Sequence, residues 1–189
     1  MERPAPAVRP PVALGCTFAV AAVVFIGIAV TLLIVFLESG ANEGKVVLED
    51  ARAYANGSVE YVAKSNFYLV RLQDGTFLAL SDLDAANRAS AQRRCRVAPL
   101  STADPALPGL VAKYAARMSP GAAGSTLLFR EDCNLALYDF TGTRLDADGP
   151  NLDRLAITLT GDGKLSVNVT KRTCTRREGA ESALAARCP

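Results

Sequence analysis

Few side chains in this chain are able to do chemistry, and their spacing narrows the choice. Five cysteines occur: Cys16, Cys95, Cys133, Cys174 and Cys188. No histidine occurs anywhere. That removes Ser-His and Cys-His catalysis, His-ligated haem, and every zinc site that includes an imidazole. A metal site built from cysteine alone favours Cys-x-x-Cys pairs, and the last four cysteines never stand at that spacing. Disulfide chemistry remains: in an oxidising compartment these four make two bridges, with the pairing left open by the spacing. Glu131, Asp132 and Asp139 have the groups for acid–base work, but carboxylates at strand ends are commonly solvated or capping. Catalysis by this chain is not expected.

The compartment follows from the stretch that precedes these residues. Val12 to Leu37 carries no charged side chain. As a helix it would extend roughly 39 Å, against about 30 Å of hydrocarbon. A transmembrane helix is therefore expected over 12–37. A cleaved signal peptide has a shorter apolar region, about 7–15 residues; its cleavage would fall near Ser39-Gly40-Ala41. Arg3 and Arg9 precede the run, and Glu38 and Glu43 follow it. Positive-inside places residues 1–11 in the cytoplasm and everything after the span outside, on a single-pass cell (inner) membrane protein. Gly15 and Ala19, with Ala22 on nearly the same face, form a small-residue strip suited to packing on a partner helix.

Residues 38–45, ESGANEGK, read as a flexible tether. Short strand-like runs follow at Val46–Leu48 and Ser58–Val62. Phe67–Leu72 and Thr76–Leu80 flank Asp74-Gly75, a hairpin signal. Asp82 to Gln92 is polar and has no strand pattern. In the Ala-, Pro- and Gly-rich segment 98–124, Leu110, Val111, Tyr114 and Met118 recur at helical spacing after Pro108-Gly109, which predicts a short helix. Strands resume at Thr126–Phe129 and Leu135–Tyr138. A second hairpin, Leu155–Thr160 and Lys164–Val169, turns at Gly161-Asp162-Gly163. The fold class is mainly β: a small antiparallel domain over 46–170 with a helical insertion. Residues 171–189, with Lys171, Arg172, Arg176, Arg177 and Arg187, read as a solvated basic tail, with closure by Cys174–Cys188 left open; the alternative is contact with an acidic partner or lipid headgroups. A formal net charge of +2 over 189 residues gives no field for nucleic acid, and no small-molecule substrate is expected.

The order of the pieces carries a resemblance. NFYLVRLQDGTFLAL, a cysteine in the loop after it, and FREDCNLALYDFTGTRLDADGPNLDRLAITLTGDGKLSVNV together resemble the Rieske iron–sulfur domain, over roughly Val46 to Thr170. In that family two loops hold a two-iron, two-sulfur cluster. The first has the pattern Cys-x-His-x-Gly-Cys and the second Cys-Pro-Cys-His-Gly-Ser. One Cys and the His of each loop bind iron, and the remaining cysteines join the loops by a disulfide. Tyr138-Asp139 and Thr141-Gly142 set the register of the second loop. Cys133 then matches the disulfide cysteine, with Glu131 at the ligand Cys and Asn134 at the ligand His. Asp132 stands at the proline, and Leu135-Ala136 at Gly-Ser. In the first loop Cys95 matches the disulfide cysteine. Ser90 falls at the ligand Cys, Gln92 at the ligand His and Arg94 at the glycine.

The resemblance implies a Cys95–Cys133 disulfide and the loss of all four iron ligands, so no cofactor and no metal are expected. It also implies a place in a membrane complex. The expected role is a cluster-free structural or accessory subunit of a respiratory or photosynthetic electron-transfer complex, docked on its outer face. Leu110, Val111, Tyr114 and Met118 would supply the contact with another subunit, or fold back onto their own domain. The alternative is a membrane-tethered, extracytoplasmic protein-binding module outside any redox complex.

Overall fold

The computed structural model describes residues 22–35, 44–90 and 95–188. The chain falls into two units, Met1–Glu43 and Gly44–Pro189. In the first, residues 22–35 form helix α1, with every side chain exposed. Its one hydroxyl, on Thr31, donates back to Gly27 O at 2.9 Å, so the helix satisfies its own polar group. Its described length is about 21 Å at about 1.5 Å per residue. Among the described residues no helix is long and apolar enough to cross a membrane. The remainder of the expected span, Gly15 and Ala19 included, lies outside the described residues; Ala22 opens α1.

The second unit is mainly antiparallel β with small helices. Its strands are β1 (Lys45–Asp50), β2 (Val59–Val62), β3 (Phe67–Arg71), β4 (Phe77–Asp84), β5 (Val97–Pro99), β6 (Phe129–Glu131), β7 (Leu137–Tyr138), β8 (Gly149–Pro150), β9 (Leu152–Leu159), β10 (Lys164–Glu178) and β11 (Glu181–Ala186). The large sheet has the order β1-β10-β9-β4-β3-β2, with β8 and β11 also paired to β10. Register shifts interrupt β1 on β10, β10 on β9, and β4 on β9. Such bulges bend the strands and curl the sheet. Between β4 and β9 the chain departs to build helix α2 (Ala85–Ala89), helix α3 (Leu107–Tyr114) and a small sheet in the order β5-β6-β7.

Strand β3 shows how the two sheets share a core. Successive side chains of a strand point to opposite faces, and here both faces are covered. Phe67 and Leu69 enter a cluster with Tyr54, Ala79, Leu155, Leu165 and Val167. Tyr68 and Val70 enter another with Val97, Phe129, Tyr138, Phe140 and Leu152. The second cluster ties the small sheet to the large one.

Three expectations change against this architecture. Strand β4 continues through Ser81-Asp82-Leu83-Asp84 and α2 follows at once, so the stretch from Asp82 is not featureless. The runs before Phe129 and at Leu135 narrow to β6 and β7, because Leu135 takes φ 58° and cannot continue a strand. The domain does not end at Thr170. Strand β10 runs on to Glu178 and returns as β11, so the residues read as a basic tail are a hairpin within the same unit. Arg177 in it is buried and donates to Arg144 O at 2.5 Å and Arg117 O at 2.6 Å. Leu110, Val111, Tyr114 and Met118 are half-buried against Leu100, Leu107, Leu128, Leu137 and Leu145. This stripe lies over the leucines that flank β6 and β7, the second of the two courses expected for it. What α3 leaves open is an apolar dent of about 400 Å³ beside Leu107, Pro108 and Val111.

Candidate functional site

Of the residues singled out by type, Cys95, Glu131, Asp132 and Cys133 meet at the end of the small sheet. Pairing of β5 with β6 sets Val97 opposite Glu131, which brings the loops before β5 and after β6 side by side. Cys95 and Cys133 then lie 5.4 Å apart at Cα and are joined as a disulfide. The backbone adds a further link, Asp132 N–H donating to Arg96 O at 3.0 Å. Cys95 is buried, whereas Cys133 faces solvent. Cys174 and Cys188 form the second disulfide, across β10 and the end of the chain.

Glu131 is 1 % exposed, yet its carboxylate is not idle. Oε1 accepts from Cys133 N at 2.9 Å and Oε2 from Asn134 N at 2.7 Å. A side-chain acceptor capping the next backbone amides is the way short polar side chains hold a turn. Asn134 and Leu135 stand exposed at its tip, Leu135 in the left-handed region and 61 % exposed. Ser90 lies at the C-terminal end of α2 and is half-buried. Gln92 lies outside the described residues.

The other carboxylates are equally committed. Asp139 is fully buried: Oδ1 accepts from Thr141 N and Thr141 Oγ1 at 2.8 Å and from Thr143 N at 3.1 Å, and Oδ2 accepts from Ser119 N at 2.8 Å. It pins the Thr141-Gly142 turn and draws the segment after α3 onto it. Asp84, also buried, caps α2 through Asn87 N at 2.7 Å and accepts from Tyr138 Oη at 2.8 Å. Burial, followed by the nearby Asp84 charge, pushes the Tyr138 phenol far above its ordinary range. Tyr68 donates to Val97 O at 2.9 Å, and burial raises its phenol to about 12. Above it Tyr61 stacks at 4.8 Å between centroids and donates to Asp82 Oδ2 at 3.1 Å. Burial raises the Asp82 carboxyl, against the Tyr61 hydrogen bond and the Arg96 charge, which lower it.

Fully buried Asp153 pairs with Arg88 of α2. Sequence reasoning missed the Asp84–Tyr138 and Arg88–Asp153 pairs. Asp84 falls in the stretch read as having no strand pattern and Asp153 just ahead of the strand read from Leu155, so nothing local signalled either pair.

Among the described residues, Cys95, Glu131 and Cys133 are the group whose donor atoms approach as metal ligands do, all within 4.8 Å of one another. The two sulfurs are bonded to each other, and both carboxylate oxygens already hold backbone amides. A Rieske cluster takes two thiolates on one iron and two imidazoles on the other. The residues present do not fit that group. Chemically, the arrangement holds two loops in one fixed shape.

The sequence matches no protein-family model, and no curated protein or solved structure matches the chain.

Proposed function

We propose that this chain is a membrane-anchored, cluster-free relative of the Rieske iron–sulfur proteins. It serves as a structural subunit on the outer face of a membrane-bound electron-transfer complex. The observation that carries the reading is the pair of loops joined by Cys95–Cys133 with Glu131 beneath them. The disulfide stands where the resemblance implies one. At the position of a ligand cysteine the chain has a carboxylate that grips its own loop. A site rebuilt this way keeps a shape and gives up redox chemistry, which suits a docking element. The tip it presents is Asp132, Asn134 and Leu135. An exposed leucine held at positive φ is costly twice over, in backbone strain and in wetted apolar surface. Contact with an apolar hollow on another subunit offsets the second cost. The apolar run 12–37 supplies the anchor, and the two disulfides fit an extracytoplasmic domain.

Purification of the native membrane assembly in mild detergent tests the reading. The chain is expected to travel with the electron-transfer subunits, and low-temperature EPR of the isolated chain is expected to lack a Rieske-type signal. A stoichiometric signal from this chain refutes the cluster-free part. Release of the chain as a lone species under conditions that keep the complex intact favours the tethered binding module instead.

A further inference from the structure

The two loops at the end of the small sheet are held together by more than their disulfide. Pairing of β5 with β6 sets Val97 opposite Glu131 and Ala98 opposite Arg130. Asp132 N donates to Arg96 O at 3.0 Å, one residue away from each cysteine. The Glu131 carboxylate holds Cys133 N and Asn134 N. None of these bonds involves a sulfur. Opening the disulfide therefore leaves Cys95 and Cys133 facing each other.

What opening releases is a set of ligands. The sulfurs of Cys95 and Cys133 and a carboxylate oxygen of Glu131 lie within 4.8 Å of one another. A carboxylate offers about four lone-pair positions, and backbone amides take two of those on Glu131. It can bind a cation without letting go of its loop. Glu131 is buried, and among the described residues it has no ion-pair partner. Buried carboxylates ordinarily pair with a cation or coordinate a metal. Cys95 is buried as well, whereas Cys133 faces solvent. A cation would enter from the Cys133 side, where water completes its shell.

Two thiolates and a carboxylate suit a zinc-type cation, while magnesium and calcium take oxygen ligands. At about 2.3 Å per zinc–sulfur bond, two sulfurs on a tetrahedral metal stand about 3.8 Å apart. Rotation about the side-chain bonds reaches that separation from Cα atoms 5.4 Å apart.

We infer that Cys95, Cys133 and Glu131 form a zinc-type cation site that the disulfide closes and reduction by a dithiol opens. The site needs neither the anchor nor the complex of the proposed function. Exposure of Cys133 sets the order of the reduction. One thiol of the dithiol loses its proton and attacks Cys133 Sγ as a thiolate. The Cys95–Cys133 bond breaks, and Cys95 Sγ leaves with the electron pair and takes up a proton. The second thiolate of the reductant attacks its own partner sulfur in the mixed disulfide. Cys133 Sγ leaves and is protonated, and the reductant departs as a disulfide. A divalent cation then displaces the two thiol protons to water.

The test uses the full chain in detergent micelles, oxidised or reduced with a phosphine, and zinc as the probe. After desalting, the reduced chain is expected to retain one equivalent of zinc and the oxidised chain none. Excess magnesium should not displace it. Alkylation of the reduced wild-type chain, read cysteine by cysteine by mass spectrometry, locates the metal without a variant. Zinc should suppress alkylation of Cys95 and Cys133 and leave Cys174 and Cys188 at their metal-free rates. Against a competing chelator, Glu131→Gln should weaken zinc binding by at least about tenfold, the lower end of what losing a supporting group costs. No retained zinc, suppression at Cys174 and Cys188 as well as or instead of the other two, or unchanged affinity in Glu131→Gln overturns the proposal. Co-purification with electron-transfer subunits, the measure of the docking role, is independent of each of these outcomes.

Discussion

Exchanging Glu131 for glutamine tests whether the tip is held by its own carboxylate. The side chain is 1 % exposed and keeps its size in the exchange, so packing is preserved. What changes is the acceptor set. The carboxylate holds Cys133 N at 2.9 Å with one oxygen and Asn134 N at 2.7 Å with the other. A glutamine keeps one oxygen; its amide nitrogen would face the second N–H, donor against donor. A hydrogen bond to a charged group contributes about 1.5–3 kcal/mol. One such bond is lost and the other loses its charge. Cys133 and Asn134 are exposed, so water recovers part of the deficit. The expected loss is about 2 kcal/mol, or roughly 4–8 °C in Tm for a domain of this size. Urea unfolding with the disulfides intact measures it. The Cys95–Cys133 bond should also be reduced faster by a small dithiol, because a loosened loop exposes the sulfurs. Wild-type stability and wild-type reduction rate in Glu131→Gln would refute the capping argument. Glu131→Ala separates capping from packing: if Ala is destabilised and Gln is not, the side chain matters only as filler.

Two further outcomes follow from the same geometry. Replacing Cys95 and Cys133 together by serine opens a loop of sequence separation 38 and should cost about 4 kcal/mol in the chain-entropy model, read as a lower urea midpoint; an unchanged midpoint argues against the bond. Asp82 is raised in the folded state above its ordinary value near 3.8, so its proton stabilises the fold below that pH and the contribution is lost as pH rises through the folded value. Asp82→Asn keeps an acceptor for Tyr61 Oη and should match or exceed wild-type Tm at pH 7, losing that advantage as the pH falls below 4; a variant less stable at pH 7 than at pH 3, relative to wild type, counts against buried ionisation as the cause.

How much of this was legible depends on who covers the polar groups. The hairpins at Gly75 and Gly163 were readable because both glycines take positive φ, 86° and 84°, between alternating apolar runs. The Cys95–Cys133 bond was readable from the resemblance, whose register hung on Tyr138-Asp139 and Thr141-Gly142. The hairpin β10–β11 was not, since hydrophobic alternation is the usual signal and TKRTCTRREGAESALAA has almost none. Its strands form because the partners are polar too: Asn151 Nδ2 donates to Thr175 Oγ1 at 2.9 Å and Ser182 O at 2.8 Å. Strand β4 was cut short for the same reason, with Asp82 and Asp84 buried against Tyr61 and Tyr138, residues 21 and 54 positions away. Buried polar residues are affordable only when a distant partner arrives, so their place in a fold is written in pairs and not in runs. Asp139, held chiefly by Thr141 and Thr143, and Glu131 depart from this, and Glu131 does so entirely. Its partners are the next two or three residues, and a one-dimensional reading could have found the cap there, had the position not first been read for the ligand it lacks.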